Sequence, residues 1–291
     1  MTLRRRLAGG FDRAVFTAMR HLPIPAGQAL AGAVGRHVSP RLHPSLGANA
    51  LAAVARLRPD LPPAETVAAL WDATTRTACE VACCIRLHDE GRVATEGEGP
   101  LLALHRAGRP VIVAGLHLGN WEVLGLTLPR LGLPVTVIHD PPPQTSFRGR
   151  ALVRERLRAG TRLLPLGRDA TWPAVRALRD RREVLCLLVD EVTAGRPMAP
   201  RLGRSAPPAG NLLQAVKLAR LTGAAIVPGY ALRLPGARFL SRFLPPIEVP
   251  RTADCAADVA AGVARLDTAI AEVVLRHLGQ WFPLLYFRPD P

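Results

Sequence analysis

A histidine at position 117 is followed five residues later by a glutamate, in the run Gly115-Leu-His-Leu-Gly-Asn-Trp-Glu122. A neutral imidazole with a carboxylate on one ring nitrogen keeps the other nitrogen free to take a proton from a hydroxyl, and the carboxylate then stabilises the imidazolium. His117 is thus a candidate general base and Glu122 its candidate partner, without a nucleophile of their own. Amides around Gly119 and Asn120 are expected to face an oxyanion. The H-x4-E spacing by itself is a weak signal, because 8 histidines and 23 acidic residues produce it by chance. Its setting between a strand and a helix makes it specific.

That setting starts with Val111-Ile-Val-Ala, an apolar run that reads as a buried strand. The strand delivers His117 to its C-terminal end, the edge at which open parallel sheets place ligands. Gly119 permits a tight turn and Asn120 caps a helix, so Glu122 falls in the first helical turn and is expected to reach back toward the imidazole.

Other reactive residues offer less. His139-Asp140 ends a second strand, near the site or in a plain turn. Ser146 and Ser205 lack the strand-turn-helix context of a serine nucleophile. Cys79, Cys83 and Cys84 lie in one helix and read as small packing residues. With Cys186 and Cys255 they form no CxxC pair, so neither a metal site nor a disulfide framework is indicated.

The elements that position these groups fall into two textures. Residues 1 to 98 read as helices punctuated by proline, at 3–21, 26–38, 44–56 and 63–87. From 99 onward, short apolar runs at 111–114, 135–138, 162–166, 184–189 and 225–234 alternate with helical stretches at 122–131, 145–159, 172–180 and 211–222. A proline-rich, β-like segment to residue 249 and a helix over 254–278 complete the chain. The alternation predicts an α/β fold, a mostly parallel sheet flanked by helices, with an N-terminal helical membrane-associated region over 1–98 and the core over 99–291.

Taken together, Gly-x-His117-x-Gly-Asn-Trp-Glu122 between strand and helix resembles the lysophospholipid acyltransferase superfamily, in its lipid A lauroyl/myristoyl and phosphatidylinositol mannoside acyltransferase branch. His21-Leu-Pro-Ile-Pro, Pro59-Asp-Leu-Pro62, Glu96-Gly97 and Gln280-Trp281 resemble further blocks of that branch. The resemblance implies a site arginine before Leu164-Pro165, where Arg156 is favoured and Arg154 and Arg158 compete. It also implies that Asp190, at a strand end, orients the acceptor or the catalytic loop. Glu191 departs from the usual Gln or Arg, and Arg201-Leu202 replace aromatics normally found before Gly203; both departures put acceptor specificity in question, while Gly203 and Gly210 preserve the turns. The activity implied by the resemblance is that of an O-acyltransferase with no resident cofactor or metal. Such an enzyme moves an acyl chain from an acyl-CoA or acyl carrier protein thioester to a hydroxyl of a membrane glycolipid or phospholipid.

Charge sets the alternatives. Lys+Arg 38 against Asp+Glu 23 gives +15, with Lys217 the single lysine. Guanidinium forks suit phospholipid headgroups, nucleic acid or a phosphorylated donor. With 4% aromatics and no recognised binding module, nucleic-acid binding rests on charge alone and no such partner is expected. A thioesterase using the same pair, with water replacing the alcohol, is a further alternative. The N-terminal stretch is too interrupted to span a bilayer and reads as an amphipathic helix. Leu3, Leu7, Phe11 and Val15 would enter the interface and Arg4, Arg5 and Arg6 meet anionic lipid, giving peripheral attachment to the cytoplasmic face of the inner membrane.

Overall fold

The computed structural model describes residues 3–140, 147–165, 167 and 170–288. The chain opens on helices α1 (Leu3–His21), α2 (Ile24–His37), α3 (Ser39–Leu42), α4 (Pro44–Leu57), α5 (Pro63–Glu80) and α6 (Cys84–Asp89). Prolines in the first turns of α2, α4 and α5 start these helices, where a missing N–H costs nothing. Next in the chain come β1 (Val93–Glu96), α7 (Glu98–Arg106), β2 (Val111–Gly119), α8 (Trp121–Arg130), β3 (Val135–His139), α9 (Phe147–Arg158), β4 (Arg162–Pro165), α10 (Thr171–Arg179) and β5 (Val184–Leu188). A ribbon of β6 (Val192–Thr193) and β7 (Arg196–Pro197) leads to α11 (Gly210–Thr222), β8 (Ala225–Leu234), β9 (Arg238–Phe243) and α12 (Cys255–Arg276). Short 3-10 turns at Leu278–Gln280 and Phe282–Tyr286 end it.

Seven strands form one sheet in the order β1-β9-β8-β2-β5-β3-β4. The five strands from β8 to β4 run parallel, while β9 is antiparallel to β8 and β1 runs with β9. The mixed α/β fold with a mostly parallel sheet is therefore the one expected from the alternation. β2 sits in the middle, and alternate residues serve opposite faces. Ile112, Ala114, Leu116 and Leu118 join a core with α4, α5, α11 and α12. Val111 and Val113 join the other core, with Leu87, Leu101, Val123 and Leu124.

Two departures from the expected elements affect the site. The predicted helix over 63–87 breaks after Glu80, whose side chain is fully buried, before α6 resumes at Cys84. Beyond the last helix expected in the N-terminal region, Val93–Glu96 forms the edge strand β1, paired with β9. Its four-residue pattern alternates half-buried and exposed positions, too short a period to stand out in sequence. Helix α1 lies against α9, where Phe16 meets Phe147 edge-on at 5.4 Å and Asp12 pairs with Arg148 at 2.9 Å. Among the described residues no helix is long and apolar enough to cross a membrane.

Candidate active site

The parallel ladder between β2 and β5 reaches Gly115–Leu188, and on the other side the register against β8 shifts between Gly115 and Gly119. Such an irregularity re-aims side chains at a strand end. Here the backbone N–H of His117 donates to the carboxylate of Asp190, just past β5, at 3.0 and 2.9 Å. The same carboxylate lies 2.9 Å from His117 Nδ1. Because an ionised carboxylate only accepts, Nδ1 carries the proton and Nε2 is left as the basic nitrogen. Asp190 is completely buried, and the indole N–H of Trp281 donates to its second oxygen at 2.8 Å. Its charge is thus balanced by N–H donors from three directions.

Glu122 does not reach the imidazole. It pairs with Arg156 of α9, whose Nε and Nη2 donate to its two oxygens at 3.0 and 2.7 Å. The reason is local: Asn120 caps α8 by accepting the N–H groups of Glu122 and Val123, which fixes the first turn, while a buried strand-end carboxylate already holds Nδ1. A planar guanidinium then gives Glu122 a two-point, charge-assisted partner. Burial pulls the Arg156 guanidinium down, but the charge and hydrogen bonds of Glu122 more than offset it and leave its pKa above the ordinary value. Of the three competing arginines, only Arg156 faces the site. Arg158 pairs with Glu155 on the surface and Arg154 is exposed.

The expected oxyanion role of the Gly119 and Asn120 amides is also not what the structure shows. The Asn120 N–H donates to the Ala231 carbonyl at 3.2 Å, and its amide side chain, fully buried, donates to Glu80 at 2.7 Å. Gly119, with φ of 59°, lies so close to the Ala231 carbonyl that a Cβ there would clash with it. Its own carbonyl accepts from Thr77 Oγ1 at 2.6 Å. Both residues build the turn that carries His117 and Glu122, behind the cavity wall. A buried network fastens this turn to the rest of the fold. Arg233 forks Glu80, donates to Thr77, and exchanges two backbone hydrogen bonds with the Gln280 side chain. Sequence reasoning missed Glu80 and Arg233. Their signal was a lone acid among small apolar helix residues and a lone arginine in an apolar strand, each of which needs a partner when buried.

His117, Glu122 and Arg156 line a cavity of about 420 Å³. Its walls are largely apolar, with Trp121, Leu126, Val137, Ile138, Leu152 and Phe282 among them. The imidazole meets the Trp121 ring at 4.9 Å, and Phe282 packs on Trp121 at 5.6 Å. Arg201, which stands where the resemblance implies an aromatic, lies exposed on a loop and donates to the Ser205 carbonyl. His139 and Asp140 line the cavity too, and burial followed by the Arg156 charge lowers the His139 pKa. Cys186 also borders it, but burial pushes that thiol up to about 12, so it stays protonated. Cys83 and Cys84 are buried thiols, likewise raised by burial, as packing residues would be. Ser146 lies outside the described residues.

Glu191 sits on the same wall. One of its oxygens accepts the Asn211 N–H at the start of α11 at 2.7 Å, and the other is buried without a partner. Gly210, with φ of 60°, makes room for it, since a Cβ there would run into the carboxylate. Burial lifts the Glu191 pKa to about 7; the Asn211 N–H opposes this and the Asp190 charge adds to it.

The model of the bacterial lipid A biosynthesis acyltransferase family matches residues 10–286. The chain belongs to that family. The match runs through the helical region, the sheet and the Gln280-Trp281 turn alike, so the resemblance carried by the His117 block holds over nearly the whole chain. Among curated proteins no relative matches. As a member of the lipid A biosynthesis acyltransferase family, this chain is an acyltransferase that acts on lipid.

Proposed function

We propose that this acyltransferase moves a fatty acyl chain from an acyl-CoA or acyl carrier protein thioester directly to a hydroxyl of a membrane glycolipid or phospholipid, with His117 as general base. The observation that carries the reading is the Asp190 carboxylate on His117 Nδ1, which leaves Nε2 basic on a side chain that lines an apolar cavity. Nε2 takes the acceptor's hydroxyl proton as the oxygen attacks the thioester carbonyl. The tetrahedral oxyanion collapses, the C–S bond breaks, and the thiolate recovers the proton from the imidazolium. Arg156 keeps Nη1 unengaged by Glu122, available to an oxyanion or an anionic headgroup. Glu122 is then a positioning residue for Arg156.

Peripheral attachment to the cytoplasmic face of the inner membrane completes the proposal. Its support is an exposed apolar row along α2 and α3, Leu30, Val34, Val38 and Leu42, on a region without a spanning helix. A purified His117→Ala protein, given labelled acyl thioester and membranes, should transfer about 10² to 10⁴ times more slowly than the parent. Near-parental transfer by a folded variant overturns the mechanism. Release of free fatty acid by the parent instead of labelled lipid indicates a thioesterase.

A further inference from the structure

Helix α9 has two working faces. Leu152, Val153 and Arg156 face the catalytic cavity, while Arg150, Ala151, Arg154 and Glu155 face a separate small pocket of about 200 Å³ closed by Arg13, Phe16 and Arg20 of α1 and by Phe147. Four guanidiniums therefore border a space large enough for a phosphate group, and the single acid beside them, Glu155, is engaged by Arg158. The neighbouring acid of α1, Asp12, is engaged by Arg148. Among the described residues neither Arg13, Arg20 nor Arg154 has a carboxylate partner. Arg13 is held instead over the Phe147 ring at 5.9 Å, and Phe16 packs on the same ring. An aromatic floor holds the Arg13 guanidinium in place without neutralising it.

Like charges gathered round one hollow repel one another, and an anion entering it relieves that repulsion while accepting several charge-assisted hydrogen bonds. We propose that Arg13, Arg20 and Arg154 form a binding site for a phosphate group, distinct from the catalytic cavity and joined to it through α9. The phosphate belongs either to an anionic lipid headgroup or to the nucleotide of a soluble acyl-CoA donor. Either source fits the position, because α9 carries Arg156 into the reaction site one turn or less from Arg154. The site does not depend on His117 acting as base, and a binding experiment tests it separately from transfer.

Full-length protein is titrated with two probes: coenzyme A, and vesicles of phosphatidylcholine with and without phosphatidylglycerol. The variant Arg13→Gln/Arg154→Gln is compared with Arg56→Gln/Arg238→Gln, which removes the same charge from exposed positions on other elements. Losing two forked contacts should weaken binding at least about tenfold beyond the control. A loss confined to phosphatidylglycerol vesicles assigns the site to a lipid headgroup, and one confined to coenzyme A assigns it to the donor. Arg154→Lys keeps the charge without the fork and should retain only part of the affinity. If the pocket variant and the control lose equally toward both probes, the arginines are a general basic surface and the proposal is overturned.

Discussion

Trp281 donates its indole N–H to Asp190 across 2.8 Å, and both side chains are fully buried. The C-terminal turn thus holds, from behind, the carboxylate that holds the His117 ring. Asp190→Asn should be the more damaging change: an amide at this place can donate to Nδ1 and leave the hydrogen on Nε2, the tautomer unable to accept a proton. A loss of about 10² to 10⁴ in kcat is expected, with the fold retained. Trp281→Phe removes one hydrogen bond to a charged group and should lower kcat by about tenfold while KM for the thioester stays near its parental value. Equal changes in kcat and KM from both variants would point to a general loss of packing rather than to control of the imidazole.

The ion pair between Glu122 and Arg156 has side chains only 6% and 17% exposed. Removing one partner leaves the other charge uncompensated, which in buried pairs costs about 3 to 5 kcal/mol. Glu122→Ala should therefore unfold at clearly lower denaturant concentration than the parent, and Glu122→Ala/Arg156→Leu should recover much of that loss. Transfer activity should not recover with it. A double variant whose loss equals the sum of the Glu122→Ala and Arg156→Leu losses would show that the two residues act independently.

The strand-end histidine, the Asn120 cap and the alternation of strands and helices arise from side-chain types within a few residues of each other, and these were legible in the sequence. What escaped was contact across distance. Position 122 offers the carboxylate nearest in sequence, yet His117 takes Asp190, 73 residues away, because two adjacent parallel strands end side by side. Likewise the turn at Gly119 and Asn120 looked open to substrate, since nothing local reveals the Ala231 carbonyl and the Glu80 carboxylate that close it off. Arg156 was favoured over Arg154 and Arg158 through a resemblance, and the helix geometry of α9 is what separates the three.

Glu191 should confer a measurable pH dependence. Its folded pKa, about 7, lies above the ordinary 4.5, because burial disfavours the charged form. An acid raised in the folded state ionises first in the unfolded chain, so stability falls as pH rises from 4.5 to about 7 and then levels off. Glu191→Gln abolishes that titration, and its stability relative to the parent should improve across this window by up to roughly 3 kcal/mol. Denaturation series at pH 5 and pH 8 check the sign. A parent that gains stability on Glu191→Gln at pH 5 as much as at pH 8 would contradict it.

The apolar row on α2 and α3 gives a sharper membrane prediction than the N-terminal helix does. Leu30, Val34, Val38 and Leu42 recur at every fourth residue, and the chain stays in helical conformation through Val38, so they share one side. The opposite side of α2, with Gln28, Ala31, Gly32 and Gly35, is buried, and Gly35 lies so close to the Trp71 carbonyl of α5 that a Cβ there would strike it. Only the outer row is therefore available to a bilayer; Leu30 and Leu42 are 61% and 68% exposed. Val15, assigned to the interface on sequence grounds, is half-buried, and the side chains at positions 3–7 and 11 lie outside the described residues. Moving a leucine side chain from water into the acyl region is worth about 1.5 to 3 kcal/mol, a tenfold or greater change in partitioning per residue. Leu30→Ser/Leu42→Ser should reduce binding to phosphatidylglycerol-containing vesicles at least about tenfold and lower transfer to bilayer-embedded acceptor. Transfer to acceptor dispersed in detergent should hardly change, because neither residue lines the catalytic cavity. Undiminished vesicle binding by the variant would remove α2 and α3 from the membrane contact and return it to the basic residues of α1.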